Sequence, residues 1–400
     1  MNNHFKVAVV GGGASGLFAA AGLVFRGFSG SDILVLERND RVGKKLLATG
    51  NGLGNLTNVN MGKEFYHGNA DIISAFTEGL KDFDLKARFY FLGIPLVSDE
   101  EGRVYPASKQ AGAVLDALRG YLSKNGVIVV TGAKVIKIRK ERGEFALCAE
   151  DGAYYSEKVV LAFGGASGRG FGTDGSSYVL AESFGHNKTP LFPSLVQIKT
   201  ETDRIRPLKG VKTDAIVTVS DGEKRIKTEK GDLLFTDYGV SGSAVFKASG
   251  YLAGLNDPYV IIEFLPDFSE KEIERIISDK MRLDFIEREE ILSGLTNRII
   301  GRTVYKYSSD KSPKSLAHAL KNFKLKVTGN TGFNNAQVTK GGIDGKGINP
   351  ETFESKYSDG LYIVGEALDV DGDCGGYNLT FAFYSGDKAA EDIIKKASKR

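Results

Sequence analysis

The chain has little cysteine and no long apolar segment. Its two cysteines, Cys148 and Cys374, are too few for a disulfide framework, which favours a reducing compartment. No apolar run approaches the roughly 18 residues that cross a membrane. The first residues lead directly into an apolar strand pattern, without the charged start, apolar stretch and cleavage site of a signal peptide. We therefore expect a cytoplasmic protein with no membrane partner.

Proline is also scarce, whereas glycine is abundant. The 400 residues include 9 prolines and 50 glycines, and the usual share of glycine is about 7%. Glycine does not recur at every third position, and proline and glycine together stay below the level of low-complexity disorder. Collagen-like and disordered chains are therefore excluded. A length of 400 residues predicts two to three domains.

Neither sign of charge dominates the sequence. The 53 basic and 50 acidic residues give a net charge of +3. This small excess argues neither for nor against a polyanionic partner, because a binding patch requires clustered charge rather than net charge.

A β–α–β unit opens the chain. Residues 6–10 form a short buried strand, residues 15–25 have apolar side chains at helical spacing, and residues 32–37 form a second buried strand. The two strands are expected to run parallel in a sheet covered on both faces.

The turn of this unit matches the G-x-G-x-x-G pattern of dinucleotide sites. Gly11 permits the tight turn, Gly13 lets the backbone approach a pyrophosphate, and Gly16 allows close packing of helix and strand. The helix N-terminus offers free N–H groups to the phosphates. Glu37 ends the second strand, where it can accept hydrogen bonds from the adenosine ribose. The pattern predicts a dinucleotide site, and a simple tight turn with a surface glutamate is the structural alternative.

Residues 360–380 favour FAD as the dinucleotide. They combine a buried strand, Gly365 and Glu366, a glycine turn ending at Gly376, and the start of a helix. In two-strand FAD proteins such an element holds the ribitol and directs a helix N-terminus at the flavin N1/O2 edge. No second G-x-G-x-x-G occurs, which argues against a separate Rossmann domain for NAD(P)H.

The rest of the pattern predicts an α/β domain that starts and finishes the chain. A β-rich stretch follows residue 189, with turns expected at Asp221-Gly222 and at Lys230-Gly231. A capping box at 269–272 opens a charged helical segment that continues to about residue 318. Residues 66–126 are expected to be mostly helical, interrupted by a turn at residues 98–102.

At these motifs the chain resembles the bacterial NAD(P)/FAD-dependent flavoproteins that include aminoacetone oxidase and bile-acid dehydro-intermediate reductases. The resemblance covers nearly the whole chain. Its blocks are 11–16, 43–58, 102–106, 173–175 with 185–186, 233–242, 338–342 and 365–378.

The resemblance implies an α/β fold class, with a Rossmann-like FAD-binding domain, an inserted β-barrel-like domain and a helical domain. The FAD-binding domain is discontinuous, at 1–189 and 341–400. The β-rich insertion comprises 190–265 and 325–340, and the helical domain comprises 266–324.

The resemblance also implies the residues that contact FAD. These are Ala14, Ser15, Glu37, Arg38, Lys45, the backbone of Val135, Gly365, Glu366, Asn378 and Leu379. We add Gly52, from the glycine-rich loop 43–54, and Gly376, at the helix start, to the cofactor-binding positions.

The chain departs from the family pattern at several positions. Leu53 and Gly54 stand where many relatives have arginine and cysteine, and Phe163 replaces a threonine at a strand end. Asp237 and Ser243 stand where histidine and proline are usual. If that histidine is a catalytic base, Asp237 must take its role or the substrate must differ.

Tyr377 and Asp237 are the candidate catalytic residues. Tyr377 could orient substrate or pack its ring by the flavin, and Asp237 could act as an acid or base or cap a turn. Cys374 could be redox-active or structural. His67 and His186 belong to no metal-ligand grouping, and no metal is expected.

The predicted function is that of an FAD-dependent oxidoreductase, in which a hydride passes between a small organic substrate and flavin N5. The enzyme is either a reductase with NAD(P)H as a transient electron donor or an oxidase, such as an aminoacetone-like amine oxidase that produces hydrogen peroxide. An RNA-binding or RNA-modifying flavoprotein is the alternative from another class, based on the lysine-rich residues 314–326. We expect a small-molecule substrate and no nucleic-acid partner, and the sequence carries no signal for an oligomeric state.

Overall fold

The computed structural model describes residues 3–398, so the outer ends of the predicted FAD-binding domain, 1–2 and 399–400, lie outside the described residues. The described chain folds into two compact units. Unit one comprises the residues up to Phe192 and those from Val338 onward, and unit two comprises Pro193–Gln337. The predicted division into three domains is finer than this, and its separate helical domain stays a prediction.

Strands and helices alternate through unit one, whereas strands dominate the first part of unit two. The strands are β1 His4–Val10, β2 Ile33–Glu37, β3 Thr57–Asn58, β4 Tyr66–Gly68, β5 Leu96–Ser98, β6 Arg103–Pro106, β7 Ile128–Thr131, β8 Val135–Glu141, β9 Glu144–Ala149, β10 Gly152–Leu161, β11 Phe192–Ser194, β12 Ile198–Thr200, β13 Lys212–Asp221, β14 Lys224–Phe235, β15 Gly239–Ser241, β16 Pro258–Glu263, β17 Phe323–Asn330, β18 Val338–Lys340, β19 Leu361–Ile363 and β20 Val370–Gly372. The α-helices are α1 Ala14–Phe25, α2 Lys44–Ala48, α3 Ala70–Gly79, α4 Leu85–Phe91, α5 Ala111–Lys124, α6 Tyr178–Glu182, α7 Ser243–Ser249, α8 Glu270–Lys280, α9 Arg298–Tyr307, α10 Pro313–Lys321 and α11 Tyr377–Ala397.

The main sheet of unit one has the order β7-β2-β1-β10-β9-β8, and β19 pairs with β10. Strands β7, β2, β1, β10 and β19 run parallel, whereas β9 and β8 are antiparallel additions. Every residue of β2 and β19 is buried, as expected for strands covered on both faces. The predicted parallel β–α–β unit is confirmed.

Helix α1 packs against α11 and so joins the two ends of the chain. Phe18 of α1 lies with its ring centroid 4.9 Å from that of Phe383. Arg26 forms a bidentate pair with the buried Asp387, at 2.8 Å for each nitrogen–oxygen contact. The residues on either side of the insertion thus build one apolar core.

The region 66–126 contains a sheet that its helical prediction missed. Strand β6 pairs with both β3 and β5. The turn between β5 and β6 is held by Asp99, whose carboxylate accepts hydrogen bonds from the N–H groups of Glu101 and Arg103. The helical prediction was wrong at these strands because a side chain that bonds its own turn favours a hairpin over a helix.

Unit two contains a closed six-stranded barrel of order β12-β15-β14-β13-β16-β17. Strands β13 and β14 form a hairpin, which confirms the turn at Asp221-Gly222. The second turn, at Lys230-Gly231, is wrong because both residues lie inside β14. A Cβ at Gly231 would lie 2.5 Å from Oγ of Ser243, so this glycine lets α7 approach the strand.

Three helices lie between barrel strands β16 and β17, where one long helical segment was expected. Ser269 and Glu272 form the predicted capping box of α8. Asn297 and Ser312 cap the N-termini of two further helices, α9 and α10. Apolar residues of α8 and α10 share one core with the barrel.

No helix within residues 3–398 is both long and apolar enough to span a membrane. The same residues contain no group of three or more His, Cys, Asp or Glu side chains arranged to hold a metal ion.

Candidate functional site

The glycine turn after β1 leaves no room for side chains at Gly11, Gly12 and Gly16. Gly11 has φ +111°, and a Cβ there would lie 2.4 Å from the carbonyl oxygen of Ala162. A Cβ at Gly16 would lie 1.9 Å from the carbonyl oxygen of Gly11. At Gly13 no atom lies within 4 Å of the Cβ position. The turn is therefore closely packed on one side and has space for a ligand beside Gly13.

The start of α1 has no side-chain cap. Ala14 is its first residue, Ser15 is buried, and neither the Gly13 N-cap nor an acidic side chain in the first turn meets its free N–H groups. In contrast, α3, α4, α8, α9 and α10 carry side-chain caps. An uncapped N-terminus combines free donors with partial positive charge, which suits a phosphate.

Glu37 is buried at the end of β2. Its Oε2 accepts a hydrogen bond from the N–H of Gly12 at 2.8 Å, and its Oε1 accepts from the N–H and Nδ2 of Asn39 at 2.8 and 2.7 Å. A carboxylate accepts about four hydrogen bonds, so Oε2 retains capacity for one more donor. The side chain fixes the glycine turn and can still receive a ribose hydroxyl.

Arg38 lies next to Glu37 and pairs with a glycine-rich loop. Its guanidinium donates two hydrogen bonds to Asp174, at 2.8 and 3.0 Å. This arginine lowers the pKa of Asp174 well below its usual range. Asn39 Nδ2 donates to the carbonyl of Phe171 at 3.1 Å. The loop that follows β10 is thus held at the end of β2.

Lys45 and Glu366 connect the two parts of unit one. Nζ of Lys45 lies 2.5 Å from Oε2 of Glu366, and Oε1 of Glu366 accepts from the N–H of Thr339 at 3.0 Å. Oγ1 of Thr339 accepts from the N–H groups of Ala166 and Ser167. The sequence did not single out Thr339 as a site residue, because nothing local relates it to residues about 170 positions earlier.

Val135 and Gly52 lie at two further positions of unit one. Val135 is buried at the start of β8, two residues after Ala133, whose N–H donates to the carbonyl of Glu37. Gly52 has φ +87° and open space at its Cβ position. Val135 is therefore near the Glu37 end of the sheet, and Gly52 belongs to the loop that precedes β3.

Gly365 brings the C-terminal element against α1. It has φ +69°, and a Cβ there would lie 2.6 Å from Oγ of Ser15. Its N–H donates to Oγ of Ser385 at 2.9 Å. The predicted sites at the two ends of the chain are therefore in direct contact.

The start of α11 is also a helix N-terminus without a side-chain cap. Its N-cap is Gly376, with φ +99°, and its first turn has no acidic residue. The Asn378 amide exchanges two hydrogen bonds with the backbone of Gly372, at 2.8 and 2.7 Å, which closes the preceding turn. Leu379 packs, partly buried, against the core. The free N–H groups of this 21-residue helix are available to an electron-rich ring edge.

Tyr377 is the first residue of α11. Its ring stacks on Phe65 with centroids 4.7 Å apart and planes 13° from parallel. Burial raises its pKa to about 12. Its hydroxyl has no hydrogen-bond partner among residues 3–398. The ring therefore packs on Phe65, and both roles expected for Tyr377, orienting substrate or packing by the flavin, stay predictions.

Asp237 lies in unit two, in the turn between β14 and β15. Its side chain is exposed and pairs with Lys209 at 3.0 Å, and this lysine lowers its pKa. Two of the other departures, Ser243 and Phe163, have structural roles. Ser243 starts α7 and bonds Asp232, and the Phe163 ring lies edge-on to Tyr178 with centroids 5.4 Å apart.

The turn before α11 holds titratable groups that the sequence did not connect. His67 Nε2 lies 2.8 Å from Oδ1 of Asp373, although the two residues are 306 positions apart in the sequence. Asp371 is 2% exposed, and its Oδ1 has no hydrogen-bond partner among the described residues. Burial raises the pKa of Asp371 to about 6 and also raises that of Asp369.

These residues fit FAD. Two uncapped helix N-termini, the space beside Gly13 and the remaining acceptor capacity of Glu37 match the phosphates, ribose and ring edge of such a cofactor. The fold and this site define an FAD-dependent oxidoreductase.

The chain belongs to the HI0933-like protein Rossmann domain family, whose model matches residues 5–392. It is 33% identical over 402 residues to the 3-dehydro-bile acid delta(4,6)-reductase of Clostridium scindens, covering 95% of this chain and 97% of that protein. It is 27% identical over 415 residues to the ribosomal RNA dihydrouridine synthase of Escherichia coli, covering 99% of each. The predicted family is confirmed.

Solved structures share the fold at low sequence identity. The 3-ketosteroid delta1-dehydrogenase from Sterolibacterium denitrificans gives a TM-score of 0.53 at 12% identity, covering 99% of this chain and 100% of that one. The 3-ketosteroid-delta4-(5alpha)-dehydrogenase from Rhodococcus jostii RHA1 gives 0.51 at 15% identity, covering 98% and 96%. The predicted fold class is confirmed.

Proposed function

We propose that this flavoprotein reduces a carbon–carbon double bond conjugated to a carbonyl group in a small organic substrate. The observation that carries this proposal is the full-length similarity to two kinds of relative. A delta(4,6)-reductase of a 3-dehydro-bile acid and a dihydrouridine synthase both, by their names, saturate such a bond. The larger sequence identity favours a small molecule over RNA as substrate.

In this proposal, different residues of unit one would bind different parts of the cofactor. The N-terminus of α1, with Gly13, Ala14 and Ser15, would hold the pyrophosphate, and Glu37 would hold the adenosine ribose. Arg38, Val135 and Gly52 would complete the contacts along the cofactor.

The C-terminal element would serve the reactive end of the cofactor. Lys45 and Glu366 would fix the middle of the cofactor, next to Gly365. Gly376, Asn378 and Leu379 would stabilise negative charge on the reduced ring. When bound, FAD supplies hydride chemistry at its N5 atom.

The electron source is tested by anaerobic mixing. NADH or NADPH added to the FAD-loaded enzyme should bleach the flavin absorbance if a nicotinamide is the donor. Release of hydrogen peroxide on addition of an amine in air would instead support the aminoacetone-like oxidase.

The substrate class is tested with the reduced enzyme. Mixing it anaerobically with cyclohexenone or with a steroid that carries a conjugated dienone should restore the absorbance of oxidised flavin and yield the reduced ketone. Enzyme that stays reduced with every conjugated ketone contradicts the proposed function.

Modification of RNA is the second candidate, because the dihydrouridine synthases match over 99% of this chain. The lysine-rich stretch gives it little support. Lys321 is largely buried and pairs with Glu263, and Lys326 pairs with Asp257 at 3.4 Å. Binding to ribosomal RNA transcripts at several salt concentrations separates the candidates, since phosphate contacts weaken steeply with added salt.

A further inference from the structure

Three consecutive residues of unit one hold the turn that leads into α11. Phe65 stacks on Tyr377, and its carbonyl accepts from the N–H of Asp373 at 2.9 Å. The Tyr66 hydroxyl donates to the carbonyl of Tyr377 at 3.0 Å. His67 bonds Asp373 and lies opposite Asp371 in the β4–β20 pair. The segment 65–67 therefore positions an imidazole at the same turn as the flavin-binding helix start.

His67 differs from the other three histidines of the chain. His4 and His318 pair with carboxylates at 3.2 and 3.3 Å, with 60% and 64% of their side chains exposed. His186 is buried, and burial lowers its pKa to about 4, which keeps its ring neutral. The side chains of His67 and Asp373 are 20% and 17% exposed and lie 2.8 Å apart. Of the four histidines, His67 is the one that has a carboxylate partner at 2.8 Å and a side chain that is largely but not fully buried.

The proposed reaction requires a proton as well as a hydride. The hydride becomes a C–H bond at the carbon remote from the carbonyl, and the electron pair of the double bond moves onto the carbonyl side as an enolate. The carbon next to the carbonyl must then take a proton. An efficient donor has a pKa near the working pH, as histidine ordinarily has. Tyr377, with its pKa of about 12, is a weaker acid.

We propose that His67, oriented by Asp373, donates this proton to the substrate carbon next to the carbonyl. This inference rests on the proposed function. Nε2 of His67 lies 2.8 Å from Oδ1 of Asp373. The ring gives up one proton in the step and regains it from solvent. Asp373 is the positioning residue, because its carboxylate fixes the orientation of the ring.

Other charged groups share the neighbourhood of the His67–Asp373 pair. Asp371 and Asp369 lie on the same strand segment, and the positive charge of Lys340 acts on both. Glu64 and Asp373 act on Tyr377.

Stopped-flow reoxidation of the reduced, FAD-loaded enzyme by cyclohexenone or the steroid dienone tests the proposal. His67→Gln should slow reoxidation by about 10²- to 10⁴-fold and remove its dependence on pH. Reduction of the flavin by NAD(P)H or dithionite, and FAD affinity measured by fluorescence, should not change. Asp373→Asn should slow reoxidation by a smaller factor. His318→Gln, which alters an exposed histidine of unit two, is the matched control and should behave as wild type.

Two results would overturn the role of His67 while the proposed function stands. One is reoxidation of His67→Gln within threefold of wild type with the same pH profile. The other is equal diethylpyrocarbonate modification of His67 with and without the ketone product, since a residue at the substrate must be protected. Wild-type enzyme that no conjugated ketone reoxidises overturns the proposed function itself, and the role of His67 with it.

Discussion

Gly13 and Gly16 belong to one turn but are constrained differently. At Gly16 a side chain would collide with the backbone of Gly11, so glycine is needed for the fold itself. At Gly13 the backbone has φ −83°, which any residue adopts, and the Cβ position is open. Gly13 is therefore needed only when a ligand takes that space.

Alanine substitutions separate these two requirements. Gly13→Ala should leave the unfolding free energy of the FAD-free protein unchanged and weaken FAD binding at least tenfold, because its methyl group occupies the space for phosphate. Gly16→Ala should lower the unfolding free energy by about 1–3 kcal/mol. Chemical denaturation and flavin fluorescence titration measure the two effects. Unchanged FAD affinity in Gly13→Ala would contradict the placement of phosphate.

Asp371 should make stability depend on pH. Its carboxyl pKa is raised from 3.8 to about 6, so the folded protein keeps a proton that the unfolded chain has lost. The unfolding free energy should therefore fall by up to about 3 kcal/mol as pH rises from about 4 to above 6. Asp371→Asn should remove this loss, and it should gain stability over wild type as pH rises.

Urea denaturation of the FAD-loaded protein at several pH values measures this difference. The exposed Asp116→Asn is the control, and it should track wild type at every pH. If the difference in unfolding free energy between Asp371→Asn and wild type is the same at every pH, Asp371 does not retain its proton in the folded protein.

The site residues differ in how far the sequence reveals them. Gly11, Gly13, Gly16 and Glu37 follow from local spacing, since a strand, a turn and a helix fix their relative positions. The pair His67–Asp373 joins residues 306 positions apart, and neither residue has a local pattern. Only the pairing of β4 with β20 brings them together, and both are short strands that carry little hydrophobic periodicity.

Helix starts differ in how their first N–H groups are satisfied. Five helices use their own side-chain caps, whereas α1, α2, α7 and α11 have a glycine N-cap and no side-chain cap, and α5 and α6 also lack one. Among the glycine starts, α1 and α11 belong to the longer helices, of 12 and 21 residues.

The start of α11 should be intolerant of a side chain. In Gly376→Ala the Cβ would lie 2.4 Å from the carbonyl oxygen of Thr57, at a φ of +99°. We expect a loss of about 1–3 kcal/mol in unfolding free energy and at least tenfold weaker FAD binding. Gly210→Ala, with φ +82° and open space, is the control for left-handed strain alone. Equal FAD affinity in the two variants would contradict a role of the α11 start in binding.

The elements that the sequence mispredicted show where local patterns fail. Gly231 looked like a turn residue, but the approach of α7 to β14 requires a glycine inside the strand. Strands β5 and β6 are three and four residues long, too short for periodicity to distinguish them from helix. Tertiary packing decided the first case, and the turn that the Asp99 side chain bonds decided the second.

At the scale of the whole molecule, every predicted cofactor-binding residue belongs to unit one. Unit two interrupts unit one between Phe192 and Val338, which belong to the paired strands β11 and β18. A short glycine–serine linker in place of residues 193–337 should therefore yield a protein that folds and binds FAD. An oxidised-flavin absorbance spectrum after reconstitution would confirm this, and a folded, colourless product would contradict it.

The contact between α1 and α11 has a consequence for biosynthesis. The N-terminal glycine turn leaves the ribosome early, but Gly365 and the start of α11 emerge only after more than three hundred further residues. Until then β10 lacks its neighbour β19, and α1 lacks the helix that covers it. A site that needs both α1 and the start of α11 is therefore complete only after residue 377 has been synthesised.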